Sequence, residues 1–251
     1  GFLASISYNW IFYGNALAAA VAAVVFIYFF RNKKERSSVK PLMAKEVKRS
    51  PNDRNAYRDG SFIIFNIFCC LFSMAFFQLL STLPLFYKEE KMMDEGQIGL
   101  LLGFSGFCIV VFEMLLVHAV EHRFTARQVM VYGTAIAGFA YLLLNVPFGL
   151  PWLYFSLFIL SVGEMLTLPF TATITANRST LNTQGAYMGF NSLAFSAAHI
   201  VSPYLGTYTA EHYGYDMLWN ITGGLLLFTC LGFSWILKRM DRENKARKLV
   251  Q

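Results

Sequence analysis

Charged residues are almost absent from seven long apolar stretches of this 251-residue chain. All 21 Lys and Arg residues lie outside them, and of the 15 Asp and Glu residues only Glu113 and Glu164 lie well inside. The stretches run near residues 8–30, 61–87, 97–120, 128–147, 151–177, 185–210 and 217–237. A helix needs roughly 17–25 residues to cross the bilayer core. The pattern therefore predicts an all-α membrane protein with seven transmembrane helices, which we number as spans one to seven.

The polar segments predict the organisation of the chain. Residues 31–60 contain ten basic and four acidic residues, and residues 238–251 contain six basic and two acidic residues. Basic clusters next to apolar helices mark the cytoplasmic side. We therefore expect one helix in residues 1–30, a basic cytoplasmic linker in 31–60, a six-helix bundle in 61–237 and a basic cytoplasmic tail in 238–251. A surface helix over residues 41–49 remains an open alternative.

The charge distribution also predicts partners and location. The net charge of +6 comes from these juxtamembrane clusters, so the expected partner is the lipid bilayer and not nucleic acid. The first residues are expected outside the cell and the C-terminus in the cytoplasm, with the protein integral to a bacterial inner (plasma) membrane. Because the chain begins at Gly1 rather than Met, we interpret it as part of a longer protein.

Span five carries a carboxylate within a stripe of hydroxyl groups. Its members recur at helical spacing and share one face: Ser161, Glu164, Thr167, Thr171 and Thr175. Because an ionised group in the membrane is costly, Glu164 is a candidate functional residue by default. Pro169 removes a backbone hydrogen bond from the same helix, so a kink or an exposed carbonyl is expected. The alternative is that the threonines bond to their own helix and that Glu164 pairs with a polar neighbour.

Span three leads along a glycine face to the second carboxylate. Gly99, Gly103 and Gly106 share a face with Glu113, and small residues let a neighbouring helix approach closely. We expect tight packing at one end of this face. Glu113 is a weaker candidate than Glu164 because it lies near the cytoplasmic boundary, where water can reach it.

Spans two and six carry further polar candidates. Span six has a seam of small and polar residues: Gly185, Gly189, Ser192, Ser196, His199, Pro203 and Gly206. This seam predicts close packing, and His199 is either a packing residue or a group that exchanges protons near neutral pH. Span two combines Asn66 and Gln78 with many phenylalanines and ends near Pro84. Its aromatic face suits either an amphiphilic ligand or lipid.

Spans one, four and seven lack interior carboxylates, so we expect them to face lipid while spans two, three, five and six line a cavity. This division repeats with a period of three helices. The chain contains no phosphate-binding loop, HExxH, GxSxG or CxxC motif. We therefore expect neither an enzyme nor a cofactor or metal site.

Several segments are similar to the major facilitator superfamily of secondary transporters. SVGEMLTLPF (161–170), QGAYMGFNSLAF (184–195) and SPYLGTYTAEHYG (202–214) resemble the tenth and eleventh helices of its proton-coupled drug and peptide transporters. FFQLLSTLPLFY (76–87) resembles the seventh helix, and EHRFTAR (121–127) resembles a cytoplasmic loop motif through Glu121, Arg123 and Arg127. The resemblance implies that span one is the sixth helix of such a transporter and that spans two to seven are its C-terminal half.

The resemblance also implies a function. A transporter of this kind would move a small hydrophobic or cationic molecule by alternating access, with protons as the coupling ion and the N-terminal half of the same protein as the other cavity wall. Glu164 is the preferred proton carrier, with Glu113, Gln78, Thr167, Thr171, Asn66 and His199 as further candidates. A peptide or sugar transporter, a seven-helix receptor and a membrane-embedded enzyme are the alternatives.

Overall fold

The computed structural model describes residues 8–31 and 55–248, and these residues form seven α-helices and one short 3₁₀ helix. The 3₁₀ helix is Ala56–Arg58. The α-helices, which we number in chain order, are α1 (Tyr8–Arg31), α2 (Gly60–Glu89), α3 (Glu95–Glu121), α4 (Ala126–Leu143), α5 (Leu150–Arg178), α6 (Gln184–Tyr213) and α7 (Tyr215–Lys248). The predicted all-α fold with seven helices is confirmed.

Local sequence signals place the helix ends. Asp59 caps α2, and capping boxes begin α3 at Asp94 and α4 at Thr125. Gly149 precedes α5 and Gly214 follows α6. Both have a φ of 82°, a backbone conformation that other residues rarely adopt. A single residue therefore separates α6 from α7, and the chain reverses direction with almost no loop.

The apolar character of the helices varies. Among the described residues, four helices (α2, α3, α5 and α7) are long and apolar enough to cross a membrane by composition alone, and α1 contains a shorter apolar segment at Ala16–Tyr28. α4 is the shortest of the described α-helices, with 18 residues, and the 30-residue α6 carries several Ser, Thr, Asn and Gln residues. Helix α7 continues to Lys248, so most of the predicted basic tail is helical. The segment considered for a surface helix, residues 41–49, lies outside the described residues.

Helices α2 to α7 pack as two interleaved triplets. α2 packs against α6 and α7, α5 packs against α3 and α4, and α4 lies beside α7. The two triplets are α2–α4 and α5–α7. The first helix of each triplet thus packs on the second and third helices of the other triplet. The packing of α2–α7 therefore repeats with a period of three helices.

Glycines set the closest helix approaches at only some of the expected positions. A side chain at Gly133 of α4 or Gly163 of α5 would collide with the facing helix, and one at Gly206 of α6 would collide with Gln78 and Thr82 of α2. By contrast, nothing in the described chain lies within 4 Å of a Cβ placed at Gly103, Gly106, Gly185 or Gly189. At these positions no helix of the described chain packs on the α3 glycine face or on the start of the α6 seam, because both faces point away from the six-helix unit. Tight packing there stays a prediction.

Candidate functional site

The α5 stripe lies inside the helical unit. Glu164 is 2% exposed, and its four companions Ser161, Thr167, Thr171 and Thr175 are equally buried. The Thr167 hydroxyl donates to the carbonyl of Gly163 at 2.8 Å, and the Thr175 hydroxyl donates to that of Thr171 at 2.8 Å. Thr171 likewise donates to the Leu168 carbonyl. The threonines therefore bond to their own helix, as the alternative interpretation holds, and they face packed neighbours.

Ser161 extends the stripe to a second helix. Its hydroxyl lies 2.8 Å from that of Ser105 on α3 and also donates to the Leu157 carbonyl. This contact fixes α3 against α5 one turn before Glu164. Glu164 consequently sits between the faces of α5 that contact α3, through Ser161, and α4, through Gly163.

The Glu164 carboxylate differs from the hydroxyl groups of its own stripe, which all have hydrogen-bond partners. Neither carboxylate oxygen has a hydrogen-bond partner among the described residues, although both are buried. Burying an ionised carboxylate without partners costs several kcal/mol or more. The carboxylate must therefore be neutral, or be reached by water or a cation, and a group that only stabilised the fold would have a fixed partner.

Aromatic residues with polar tips also lie in the interior of the unit. Tyr141 of α4 lies near Glu164, and its hydroxyl donates to the Ala75 carbonyl of α2 at 2.6 Å. Trp219 of α7 stacks on Tyr141 with ring centroids 5.6 Å apart. The Trp219 indole N–H and the Tyr87 hydroxyl are also buried without a partner in the described chain. The interior of the unit thus holds several polar atoms that its own side chains do not satisfy.

Prolines interrupt the backbone hydrogen bonding of three helices without ending them. Pro84, Pro169 and Pro203 lie inside α2, α5 and α6 respectively, and each helix continues through its proline. Pro169 follows Glu164 by five residues, so the carbonyl of Met165 loses its helical partner beside the carboxylate.

Asn66 and Gln78 do not face the carboxylate but join α2 to α6. The Asn191 amide of α6 donates to Asn66 Oδ1 at 3.0 Å, and the Gln78 amide donates to the Ser202 carbonyl at 3.1 Å. The Ser202 hydroxyl donates back to the Met74 carbonyl at 2.6 Å. These bonds make a polar seam through the α2–α6 contact. Many α2 phenylalanines, including Phe65 and Phe72, are core residues, which neither sequence alternative anticipated.

Glu113 and His199 lie on open faces. Glu113 is half-buried on α3, and His199 is exposed on α6, where its ring contacts Phe77 at 4.6 Å between centroids. Within the described residues, neither side chain has a hydrogen bond or an ion pair. The structure therefore does not bring Glu113, His199 and Glu164 together into one cluster.

The predicted loop motif is located at the α3–α4 turn. Glu121 ends α3, Arg123 is exposed, and Arg127 lies 3.5 Å from Asp241 of α7. This ion pair joins the start of α4 to the far end of α7. Its exposure makes its contribution to stability small.

A buried ionic cluster at the same end of the unit was not predicted. Arg178, at the end of α5, donates to both carboxylate oxygens of Asp59 at 2.8 and 2.9 Å and to Glu243 of α7 at 2.5 Å. Tyr187 of α6 donates to Asp59 at 3.0 Å, and Ser61 donates to Glu243 at 2.6 Å. Burial would raise the pKa of Asp59, but the hydrogen bonds and charge of Arg178 outweigh it and lower that pKa.

Comparisons with known proteins agree with the fold. The Major Facilitator Superfamily model matches residues 1–94 and 80–250. An uncharacterized MFS-type transporter, YttB of Bacillus subtilis (strain 168), is 25% identical over 219 residues, which cover 85% of this chain and 53% of that protein.

Solved structures show the same architecture. A crystal structure of a mutant of the peptide transporter POT has a TM-score of 0.62 and 19% identity, covering 90% of this chain and 52% of the other. A POT family transporter in complex with a thioalcohol-conjugated peptide has a TM-score of 0.62 and 15% identity, covering 92% and 54%. The chain spans about half the length of these proteins. Since the family model matches nearly all of its residues, the chain belongs to the major facilitator superfamily.

Proposed function

We propose that this chain is the C-terminal half of a proton-coupled transporter that moves a small hydrophobic or cationic molecule by alternating access. In this proposal α1 corresponds to the sixth helix, residues 31–60 to the cytoplasmic linker and α2–α7 to the second six-helix half. The N-terminal half of the same protein covers the open faces of α3 and α6. The receptor alternative loses its support, since the family is one of transporters, and no catalytic chemistry is proposed.

The buried, unpartnered carboxylate of Glu164 carries this proposal. While α3, α4 and α5 are packed around it, the neutral acid is favoured because ionisation would leave a charge without partners. Ionisation requires water or a cation at the carboxylate, and therefore a change in the surrounding helix packing. Proton release is in this way tied to a conformational change, which is what coupled transport needs.

The open faces support the alternating-access part of the proposal. Two helices expose glycine surfaces that the six-helix unit leaves uncovered, at Gly103 and Gly106 of α3 and at Gly185 and Gly189 of α6. A rocking interface needs surfaces on which backbones approach closely without interlocking side chains.

The proposal is tested by Glu164→Gln in the full-length protein reconstituted in vesicles. The hydrophobic cation ethidium is the first probe and a dipeptide is the second, because peptide transport is the alternative and the similar solved structures include peptide transporters. We expect the variant to lose accumulation driven by a pH gradient, while exchange of probe across the membrane without a gradient continues.

A Glu113→Gln variant provides the matched control, since it also neutralises an intramembrane carboxylate but one that is half exposed. We expect it to keep most of its proton-driven accumulation. Unchanged accumulation in the Glu164 variant would remove Glu164 from the mechanism. If neither probe moved faster than through empty vesicles, the proposed substrate classes would be wrong.

A further inference from the structure

The outer face of α7 changes from apolar to basic within one helical stripe. Phe228, Leu231 and Trp235 are 58%, 71% and 54% exposed. Lys238, Arg239 and Arg242 follow at the next helical positions and are exposed as well. The opposite face of the same turns remains in the core through Phe233, Ile236, Leu237 and Met240. The outer surface of α7 is therefore continuous, and it changes from apolar to basic after Trp235.

The basic end of this stripe forms a concave site. Trp235, Lys238, Arg239 and Arg242 line a cavity of about 350 Å³. Arg239 is partly compensated, since its Nε donates to Glu243 at 3.3 Å. In the part of the chain that the structure describes, Lys238 and Arg242 have no ion pair or hydrogen bond from their side chains. The nearest further acid along the helix, Asp241, lies 3.5 Å from Arg127.

We propose that this cavity binds the headgroup of an anionic phospholipid. Lys238 and Arg242 have no counter-ion in the described chain, and Arg239 shares its charge with Glu243. Together they complement the charge of a phosphate, and an anionic leaflet attracts basic side chains at the membrane surface. Trp235 lies where tryptophans anchor helices at the membrane boundary. The exposed Phe228 and Leu231 continue the site along the acyl chains, so the ligand combines an anionic head with an apolar tail.

The neighbouring apolar stripe distinguishes a lipid from a soluble phosphate. A free anion would contact only the basic side chains. A lipid would also contact Trp235 and the exposed apolar residues before it. The proposal is independent of Glu164 and of the transported substrate, because it depends only on the position of α7 in the membrane.

Trp235 is also a native reporter for the test. The full-length protein is reconstituted with brominated phosphatidylglycerol among unbrominated phosphatidylcholine, and in the reverse combination at the same mole fractions. Subtracting the fluorescence of a Trp235→Phe variant isolates the Trp235 signal from that of all other tryptophans, three of which lie in this chain. We expect stronger quenching by the brominated anionic lipid, and a weaker preference at high salt.

The paired variants are K238Q/R242Q at the site and R58Q/R123Q elsewhere at the same end of the unit, all four at exposed positions. Each basic group near an anionic leaflet contributes roughly a fivefold factor in affinity, so the first variant should lower the anionic preference roughly 30-fold. The second should leave the preference unchanged.

Three results would overturn the proposal. They are equal quenching by both lipids in the native protein, a preserved preference in K238Q/R242Q, and an equal loss in both variants.

Discussion

Two buried charged residues of this chain have opposite surroundings. Arg178 is enclosed by two carboxylates, and its side chain is fully buried. Glu164 is buried without any partner in the described chain. A buried charge kept for stability is normally paired, so we interpret the Arg178 cluster as structural, and the contrast supports the role proposed for Glu164.

The sequence predicted only one of these two sites. Glu164 was identifiable because a carboxylate inside an apolar stretch is visible without knowing its neighbours. The partners of Arg178 lie 119 and 65 residues away, in segments interpreted as a linker and a tail. Charge patterning indicated that these segments share one membrane side, but pairing depends on the tertiary packing of α2, α5 and α7.

Asp59→Asn tests the structural role of the ionic cluster. Asparagine keeps the helix cap at the start of α2 but removes the charge opposite Arg178. We expect the variant to lose about 3 kcal/mol of unfolding free energy, the lower end for a broken buried ion pair, because Glu243 still contacts Arg178. Thermal unfolding of the full-length protein in detergent measures the loss.

Asp241→Asn is the matched control, since its ion pair with Arg127 is exposed and should contribute about 0–1 kcal/mol.

The pH dependence of stability gives a second check. The pKa of Asp59 is lowered from its ordinary value of 3.8, so its stabilisation is complete above that pH and is lost as pH falls through the lower folded value. The difference in unfolding free energy between the native protein and Asp59→Asn should become smaller below about pH 4. If this difference did not change with pH, the charge of Asp59 would not be its cause.

At the scale of helices, apolar length predicted the elements well and their contacts poorly. Span five was placed at 151–177 and α5 runs over Leu150–Arg178. Span seven was placed at 217–237, whereas α7 continues to Lys248 because charged residues extend a helix beyond the membrane. The glycines show most clearly that contacts are harder to predict than helices. Gly163 packs against α4 while Gly103 and Gly189 meet nothing within 4 Å, and spacing alone cannot say which face has a neighbour.

Gly163→Ala tests the α4–α5 crossing. A Cβ at this position would lie 2.7 Å from the backbone nitrogen of Ala137 and 2.8 Å from the carbonyl oxygen of Gly133. Since backbone atoms cannot move aside without shifting a helix, we expect a loss of about 1–3 kcal/mol in unfolding free energy. Thermal unfolding in detergent provides the measurement. Gly224→Ala on α7, where the added methyl meets nothing within 4 Å, should leave the transition unchanged or slightly higher.

At the scale of the whole molecule, the six-helix unit is well packed inside and open on two sides. Its core satisfies the α2–α6 seam and the Arg178 cluster internally. The start of the α6 seam remains exposed from Gly185 to His199, and the chain covers only 53% of the length of YttB. The exposed small-residue seam fits the proposal that an N-terminal half packs on this face.

Gly189→Leu in the full-length protein tests that arrangement. If the N-terminal half packs on the α6 seam, a leucine there must separate the two halves, and transport of whichever probe the native protein moves should fall roughly tenfold or more. Gly224→Leu adds the same side chain to α7, which the proposed architecture leaves facing lipid, and transport should continue. Because Gly189 has open space within its own unit, α2–α7 can still pack with leucine in place. A loss of transport with normal membrane yield would therefore reflect the interface between halves, whereas equal transport by both variants would show that nothing packs against the seam.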